Sequence, residues 1–319
     1  MPYRPSHRQL EYLVAVAETR HFGDAAKRCH VSQPTLSVQI ALLERQLGVA
    51  LIDRTPGNIA PTHTGSRIIA SAQAILHDLD DICALAKTSQ TNLGGLIRLG
   101  VVPTFGPYFL PRFLPVLHAR YHDLQVYIRE DRPLLLEDEV AAGTNDCALG
   151  PRPSPHQAFE FREICTETIF LGVPATHRLA GFTEVDAGQL KGEKLLTLGR
   201  GHRLFENVRE LASVTGASLA EDYEGTSLDA LRQMVSIEMG LSLFPELYTK
   251  SEFARDDSVR LLRITGWDAS RQIGFYWRKN SVRAHHFEEL TRLATGVAAQ
   301  LHEINCDSTG KSTIRPVSV

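Results

Sequence analysis

The sequence predicts an α plus α/β chain, in which a small helical module is joined by a long helix to a larger α/β part. Residues 22–54 have the pattern of two short helices around a tight turn, and turn-forming residues follow them. The stretch from about Thr64 to Thr88 has no Pro and, after Gly65, no Gly, as expected of one long helix. From residue 96 onward, short apolar runs alternate with helical patterns, which is typical of a parallel-rich α/β domain.

Length and composition restrict the class of protein. The 319 residues are too many for one ordinary core, so we expect two or three domains. The sequence has no apolar run long enough to span a membrane, and its N-terminus lacks the apolar core of a signal peptide. We therefore expect a cytoplasmic protein with no membrane partner. The five cysteines form no Cys-x-x-Cys pair and no metal-ligand spacing with His, so we expect reduced thiols, no metal and no cofactor.

The N-terminal segment has the start and stop signals of three helices. The first is expected over roughly His7 to Thr19, with an inner face of Leu10, Leu13, Val14 and Ala17. The second has a small apolar face, which allows the third to cross it closely, made of Ala25, Ala26 and Cys29. In the third, Ser32 suits the N-cap, Pro34 is tolerated in the first turn, and Gly48 ends the helix. Its inward stripe consists of Leu36, Ile40, Leu43 and Leu47.

The start of the third helix presents short polar side chains on its outward face. Such side chains suit a recognition helix that contacts base edges and phosphates in a DNA major groove. The expected contacts are Ser32, Gln33, Pro34, Thr35, Ser37 and Gln39. Turn formers between Leu51 and His63 predict a β-hairpin wing, and Arg54 at its base is placed for a minor-groove or backbone contact. The net charge is −3, but residues 1–64 hold seven Lys/Arg and five Asp/Glu, so charge permits DNA binding without indicating it.

One set of residues gives this module a family likeness. The set is Ala25-Ala26, Val31-Ser-Gln-Pro-Thr-Leu-Ser37, Ile40, Leu43-Glu44, Leu47-Gly48, Leu51-Ile52, Arg54 and Thr62-His-Thr-Gly65. It resembles the LysR-type transcriptional regulators at almost every family position of the segment. The resemblance implies binding to double-stranded promoter DNA, with Thr62 among the contacts, and RNA polymerase as a candidate partner. The alternative is a helical hairpin that serves only for packing.

The long helix carries a heptad seam. Its apolar residues are spaced 4, 3, 4, 3 and 4 apart, at Ile68, Ala72, Ile75, Leu79, Ile82 and Ala86. Such a seam either packs on the chain's own domain or pairs with a second copy as a coiled coil. We favour the pair, because a winged module needs a twin to span two half-sites. The family resemblance further implies a dimer of dimers.

The resemblance also covers the α/β part. LysR-type effector domains are similar to periplasmic binding proteins, with two α/β lobes joined by two crossing strands. The implied organisation is a winged helix-turn-helix domain over 1–64, a linker helix and hinge over 65–92, an effector-binding domain over 93–304 and a flexible tail over 305–319. Lobe I would comprise 93–166 and 271–304, and lobe II would comprise 167–270.

Loops at the ends of strands converge in such a fold, and ligands usually bind there. By residue type and loop position, the expected lining for a small-molecule effector is Thr104, Phe105, Arg132, His202, Arg203, Thr226 and Ser227. Helix starts favour anions, and Arg132 or Arg203 could hold a carboxylate with two hydrogen bonds, so we predict an anionic effector. Both arginines could instead be solvated, and Thr226 could serve only as a helix cap.

Within the family, the chain is most similar to the OxyR-like group of peroxide sensors. The matching segments are Thr19–Phe22, Arg28–Ser37, Pro103–Pro111, Asp146-Cys147, Gly192–Leu196, Gly201-His202 and Thr226–Met234. That group has its peroxidatic cysteine directly after Gly-His and its resolving cysteine nine residues later. Here those positions hold Arg203 and Ala212, and Pro133 replaces a Thr that helps to hold peroxide. The resemblance therefore implies a regulator that lacks the redox cysteine pair.

Three alternatives stay open. Cys83 or Cys165 could sense oxidants if its pKa were lowered, and Cys29 and Cys147 match structural cysteines of the OxyR-like group. A regulator that responds to no ligand would keep the DNA-binding module and have an occluded pocket. An enzyme could recruit Cys147 and His202, but the sequence has no nucleophile elbow, phosphate loop or dinucleotide fingerprint. We therefore predict a regulator and not an enzyme.

Overall fold

The computed structural model of the chain describes residues 3–55, 58–87, 93–155, 159–253 and 257–303. They divide into two compact units: residues up to 87 with 138–146, and residues 93–137 with those from 147 onward. The expected hinge at 88–92 and the expected tail at 305–319 lie outside the described residues. None of the helices in the described stretches is long and apolar enough to cross a membrane.

The first unit contains the predicted helix-turn-helix and hairpin. Its elements are α1 (His7–Thr19), α2 (Phe22–Arg28), α3 (Gln33–Leu47), β1 (Ile52–Thr55), β2 (Asn58–Pro61) and α4 (His63–Lys87). A capping box between Ser6 and Gln9 begins α1, and Gly48 ends α3 in the left-handed conformation, with φ of 71°. The strands β1 and β2 pair antiparallel, with Ile52 opposite Pro61. The predicted winged fold is therefore confirmed.

The long helix α4 has two different faces along its length. Near its start, Ile69 and Ala72 are buried in the core that α1, α2 and α3 form around Leu13, Leu36 and Ile40. Further along, a stripe of large apolar side chains is exposed: Ile75 by 48%, Leu79 by 41% and Ile82 by 58%. The first part of the predicted seam thus packs on its own unit, and the next part does not. The side chain of Ala86 lies outside the description.

In the remaining elements strands and helices alternate for the most part, but some strands follow one another with no α-helix between them. In chain order they are β3 (Gly95–Val101), α5 (Gly106–Arg120), β4 (Leu124–Glu130), α6 (Pro133–Ala142), β5 (Cys147–Pro151), β6 (Phe159–Pro174), β7 (Glu184–Asp186), a 3₁₀ turn (Ala187–Leu190), β8 (Lys194–Leu195), α7 (Arg203–Thr215), β9 (Ser218–Leu219), α8 (Leu228–Ser236), β10 (Ser242–Pro245), α9 (Glu246–Glu252), β11 (Val259–Thr265), β12 (Ser270–Arg278) and α10 (Ala284–Glu303).

One long strand joins two halves of the sheet. The strand order is β4-β3-β5-β12-β6-β11-β7, and β10 also pairs with β6. Over residues 159–168 β6 pairs with β12, and over 169–174 it pairs with β10 and β11. Strands β3, β4 and β5 are parallel, whereas the partners of β6 are antiparallel to it. The sheet is therefore mixed rather than largely parallel. We call the half that contains β3 the first lobe and the half that contains β10 the second lobe.

Candidate DNA-binding surface and effector cleft

The start of α3 presents polar side chains to solvent. The Oγ of Ser32 accepts a hydrogen bond from the Thr35 amide at 3.3 Å and lies 2.7 Å from the Thr35 hydroxyl oxygen. Pro34 fits this first turn because an amide there would have no partner within the helix. Gln33, Pro34 and Thr35 are exposed, and Ser37 is half-buried one turn later. The turn has the form and polarity that a major-groove contact needs.

The side chain of Gln39 is half-buried and hydrogen-bonded within the protein, which the sequence did not indicate. Its Oε1 accepts a hydrogen bond from Gln9 Nε2 at 3.3 Å, and the Gln9 Oε1 in turn accepts one from the Ser6 amide at 3.0 Å. These bonds connect α3 to the N-terminus of α1. A DNA contact by Gln39 would have to share or break them.

The base of the wing is organised by one carboxylate that sequence reasoning did not single out as a functional group. The Oε1 of Glu44 accepts hydrogen bonds from the amides of Leu51 at 2.8 Å and Ile52 at 3.1 Å. Its Oε2 accepts one from Arg54 Nη2 at 2.8 Å, and the Arg54 guanidinium lies 5.3 Å from the centre of the Phe22 ring. Arg54 therefore fixes β1 against α2 and α3, and 41% of its side chain is exposed.

Thr62 connects the wing to α4. Its hydroxyl donates to the Ala50 carbonyl and accepts from the Gly65 amide, both at 2.8 Å. A Cβ on Gly65 would lie 1.9 Å from the Leu51 carbonyl oxygen, so only glycine allows this approach. Thr62 and Gly65 thus have structural roles that account for their place in the motif, whether or not Thr62 also contacts DNA.

The second unit has a cleft of about 330 Å³ where loops of both lobes meet. From the carboxyl ends of β3 and β4 come Pro103, Glu130, Asp131 and Arg132, and from the loops before α7 and α8 come Gly199, His202, Glu224, Gly225 and Thr226. The volume is within the range of small-molecule sites. Of the predicted lining, the structure brings Arg132, His202 and Thr226 together here.

The two predicted arginines are both engaged by the protein. Arg132 is exposed, and its Nη1 donates to the Arg200 carbonyl at 3.2 Å. Arg203 is not part of the lining: its Nη2 donates to the Arg152 carbonyl at 3.0 Å and lies 4.0 Å from the buried Glu137 carboxylate. Arg203 therefore links the start of α7 to the first lobe instead of pointing at a ligand.

Thr104 and Phe105 also lie elsewhere. Thr104 is buried, its hydroxyl accepts from Arg271 Nη1 and its carbonyl from Arg271 Nη2, both at 3.0 Å. Arg271 in turn forms a buried ion pair at 2.8 Å with Glu167, its cross-strand neighbour on β6. Phe105 is 2% exposed and stacks on Phe109 in the core of the first lobe. Both positions support the sheet behind the cleft and do not line it.

His202 is almost completely enclosed and faces the cleft. It is 8% exposed, and its ring has no hydrogen-bond partner among the residues that the structure describes. Burial, and secondly the nearby Arg132 guanidinium, lower the pKa of the His202 imidazole, so the ring is neutral at neutral pH. Ser227, the last predicted residue, accepts from the Ala230 amide at 3.1 Å as the N-cap of α8.

Three carboxylates of the lining were not predicted. Asp131 accepts from the Arg132 amide at 2.8 Å and lies 3.7 Å from Arg129. The side chains of Glu130 and Glu224 are exposed and have no hydrogen bond or ion pair with described residues. Glu130 could have been found, because it ends a strand next to Asp131 and Arg132. Glu224 precedes the Gly-Thr-Ser turn and gave no comparable signal.

The cysteines whose side chains are described lie outside the cleft lining. Cys147 is fully buried in β5, and Cys29 is partly buried at the end of α2. Cys165 lies on β6, where burial, and secondly the neighbouring Glu167 carboxylate, raise the pKa of its thiol to about 12. A thiol with this pKa is almost fully protonated at neutral pH and reacts slowly. The side chain of Cys83 and the whole of Cys306 lie outside the description.

Comparison with known proteins gives a family for both units. Residues 7–66 match the bacterial regulatory helix-turn-helix family of LysR type, and residues 90–299 match the LysR substrate binding domain. The "DNA-binding transcriptional dual regulator OxyR" of Escherichia coli is 35% identical over 283 residues, which cover 89% of this chain and 92% of that one. The "Hydrogen peroxide-inducible genes activator" of Haemophilus influenzae is 33% identical over 297 residues, 93% of this chain and 97% of that one.

Solved structures agree with these relatives. A full-length OxyR variant from Pseudomonas aeruginosa is 28% identical and superposes with a TM-score of 0.73, covering 92% of this chain and 98% of that one. A hydrogen peroxide-bound OxyR variant from Corynebacterium glutamicum is 28% identical with a TM-score of 0.65, and both chains are covered completely. These matches span the winged helix-turn-helix, α4 and the two-lobed α/β part. The chain belongs to the LysR family of DNA-binding transcriptional regulators.

Proposed function

We propose that this regulator responds to a small molecule bound in the cleft, and not to a peroxide-driven disulfide. In this proposal residues 1–64 bind promoter DNA, 65–92 dimerise and 93–304 respond to the effector. The observation that carries it is Arg203, which begins α7 directly after Gly201-His202 and is bonded to Arg152. An arginine there can form neither a thiolate nor a disulfide, and Ala212, nine residues on, has no sulfur either.

The other cysteines support this proposal. Cys147 is fully buried, and the raised pKa of Cys165 leaves little of the thiolate on which peroxide acts. The relatives' names refer to hydrogen peroxide, so a change of signal would separate this chain from them. A cleft of about 330 Å³ with unpaired polar side chains also favours a ligand-responsive regulator over one that responds to no ligand.

The structure does not support the reason for which the sequence predicts an anionic effector. An anionic effector was predicted from Arg132 and Arg203, but Arg203 does not line the cleft and Arg132 already donates to a carbonyl. Helix starts at α7 and α8 still favour an acceptor group on the ligand. The geometry therefore supports a polar effector.

Self-association is part of the proposal. The exposed stripe of Ile75, Leu79 and Ile82 on α4 would be buried between two copies, and LysR regulators form oligomers. Paired winged modules would then bind half-sites about 10 base pairs apart or a multiple of that. A dimer of dimers is the expected assembly, and RNA polymerase a candidate partner.

The test is a footprint with and without peroxide. Sites selected from random duplexes by the purified full-length protein are footprinted before and after treatment with stoichiometric hydrogen peroxide. We expect a footprint with paired half-sites that peroxide leaves unchanged. A footprint that changes with peroxide, and no longer does so in Cys165→Ser or Cys147→Ser, would contradict the proposal.

A further inference from the structure

The cleft lining has more negative than positive groups. Glu130, Asp131 and Glu224 face it together with one cation, Arg132. Asp131 has Arg129 at 3.7 Å, whereas Glu130 and Glu224 have no ionic partner among the described residues. A ligand that enters takes water away from these carboxylates. An anion would leave them unpaired next to a like charge, which costs free energy, whereas a cation would pair with them.

The side chain of Glu224 lies against the backbone of Gly199. A Cβ on Gly199 would lie 2.3 Å from Glu224 Oε1, so a larger residue at position 199 would displace this exposed carboxylate from its present place. The next residue, Gly225, is buried, and its amide donates a hydrogen bond to the Thr197 carbonyl at 2.9 Å. The missing side chain of Gly199 therefore gives the Glu224 carboxylate room at the cleft wall.

His202 is the second, independent indication of a ligand. The residue is only 8% exposed and lines the cleft, and its ring has no hydrogen-bond partner among the described residues, so its ring nitrogens are left for a molecule in the cleft. As a neutral imidazole it can accept one hydrogen bond and donate another. A neutral acceptor beside two free carboxylates suits a group that has several N–H donors and a positive charge.

We infer that the effector carries a protonated amine, which Glu130 and Glu224 bind from opposite lobes and to which His202 presents a ring nitrogen. This inference rests on the proposed function, since it names the ligand class of the same cleft. Binding from both lobes gives the ligand a reason to stabilise one lobe arrangement over another, which a regulator requires. Arg132 donates one N–H to the Arg200 carbonyl, and its other N–H groups could bind a carboxylate of the same ligand.

Calorimetric titration of the full-length protein tests the inference. The probes are putrescine, which has two amines, L-lysine, which also has a carboxylate, and succinate, which has only carboxylates. We expect at least one amine probe to bind and succinate not to bind. Binding of L-lysine alone, weakened by Arg132→Gln, would identify an amino acid type of ligand. Binding of putrescine that Arg132→Gln leaves unchanged would identify a simple amine.

Matched variants locate the site. Glu130→Gln and Glu224→Gln keep the shape but remove the charge, and each should weaken amine binding by about tenfold or more. Glu221→Gln changes an exposed carboxylate outside the cleft lining and should have no effect. Binding of succinate but of neither amine, no amine binding at all, or amine binding unaffected by both cleft variants would overturn the inference.

The same preparation is footprinted on DNA, so that two failures can be told apart. A footprint without amine binding means that the ligand class is wrong and the regulator stands. Amine binding without a footprint supports the ligand class and contradicts the proposed function.

Discussion

At the scale of single residues, Glu44 shows how one side chain determines the form of the DNA-binding unit. Its carboxylate accepts hydrogen bonds from the backbone amide of Leu51, just before β1, and from that of Ile52, the first residue of β1. It also accepts one from the Arg54 guanidinium. The residue belongs to the family motif, yet nothing in the motif tells whether it contacts DNA or the protein. The structure explains it through the protein, and it explains Gly65 and Thr62 in the same way.

Replacing Glu44 by Ala should destabilise the first unit. The change leaves the Leu51 and Ile52 amides without their acceptor, and a lost acceptor for a buried donor costs about 1–3 kcal/mol. Urea unfolding followed by far-ultraviolet circular dichroism measures the loss. Glu11→Ala, an exposed carboxylate on α1, is the control and should change the midpoint little. Equal midpoints for Glu44→Ala and the wild type would show that water replaces the carboxylate at no cost.

The Cys165 thiol should be unreactive in the native protein. With a pKa of about 12, roughly one thiol in ten thousand is ionised at pH 8. Below that pKa the thiolate fraction, and with it the alkylation rate, should rise about tenfold for each pH unit. Peptide mass spectrometry after iodoacetamide pulses at pH 7, 8 and 9 measures this, with urea-unfolded protein as the reference. Fast native labelling at pH 7 would restore Cys165 as a candidate sensor.

For the residues of the cleft, the sequence predicts which loops come together but not where each side chain points. His202, Arg132 and Thr226 were placed in it because loop position after a strand or before a helix is visible in a pattern. The direction of a side chain is not visible in a sequence, so the pattern predicts that Arg203 faces a ligand, whereas its guanidinium donates to the Arg152 carbonyl. Thr104 is likewise predicted in the lining, because the sequence gives no sign of its hydrogen bond to Arg271, which is 167 residues away.

At the scale of elements, the spacing of apolar residues predicts the helices well, but it predicts the longest strand, β6, less well. Only the end of β6, at 168–173, is a short apolar run of the kind that predicts a buried strand, because the preceding residues include Arg162, Glu163 and Glu167. These residues are accommodated by the pairing with β12, where Glu167 meets Arg271. Only the partner strand shows that this stretch is extended. In the seam of α4, the first part packs on its own unit and the next part is exposed, so pairing with a second copy stays a prediction for the exposed part.

Charges on the exposed stripe of α4 should prevent dimerisation. Ile75→Glu with Leu79→Glu replaces two large apolar side chains that are not buried in the unit's own core, so the fold should persist while a coiled-coil contact would be lost. Light scattering of the full-length protein measures the mass. The control exchanges the two side chains, Ile75→Leu with Leu79→Ile, and should keep the assembly. An unchanged mass in the Glu variant would mean that another surface holds the copies together.

At the scale of the whole molecule, the described residues form separate hydrophobic cores. Residues between Leu10 and Ala72 make one core, and residues between Ile169 and Ile264 make another. A chain of this kind need not unfold in one step, because each core can be lost without the other. Both tryptophans, Trp267 and Trp277, belong to the second unit. Their fluorescence therefore reports on that unit, whereas circular dichroism also reports on the helices of the first.

Arg271→Ala should lower the urea midpoint seen by tryptophan fluorescence, because it leaves the buried Glu167 charge without its partner, a change that costs about 3–5 kcal/mol. The component of the circular dichroism that comes from the first unit should keep its midpoint. Glu44→Ala should do the reverse and leave the fluorescence transition in place. Arg271→Met with Glu167→Leu should recover part of the loss, since replacing both charges removes the unpaired group. If both probes shift together in each single variant, the two cores unfold as one cooperative unit and not independently.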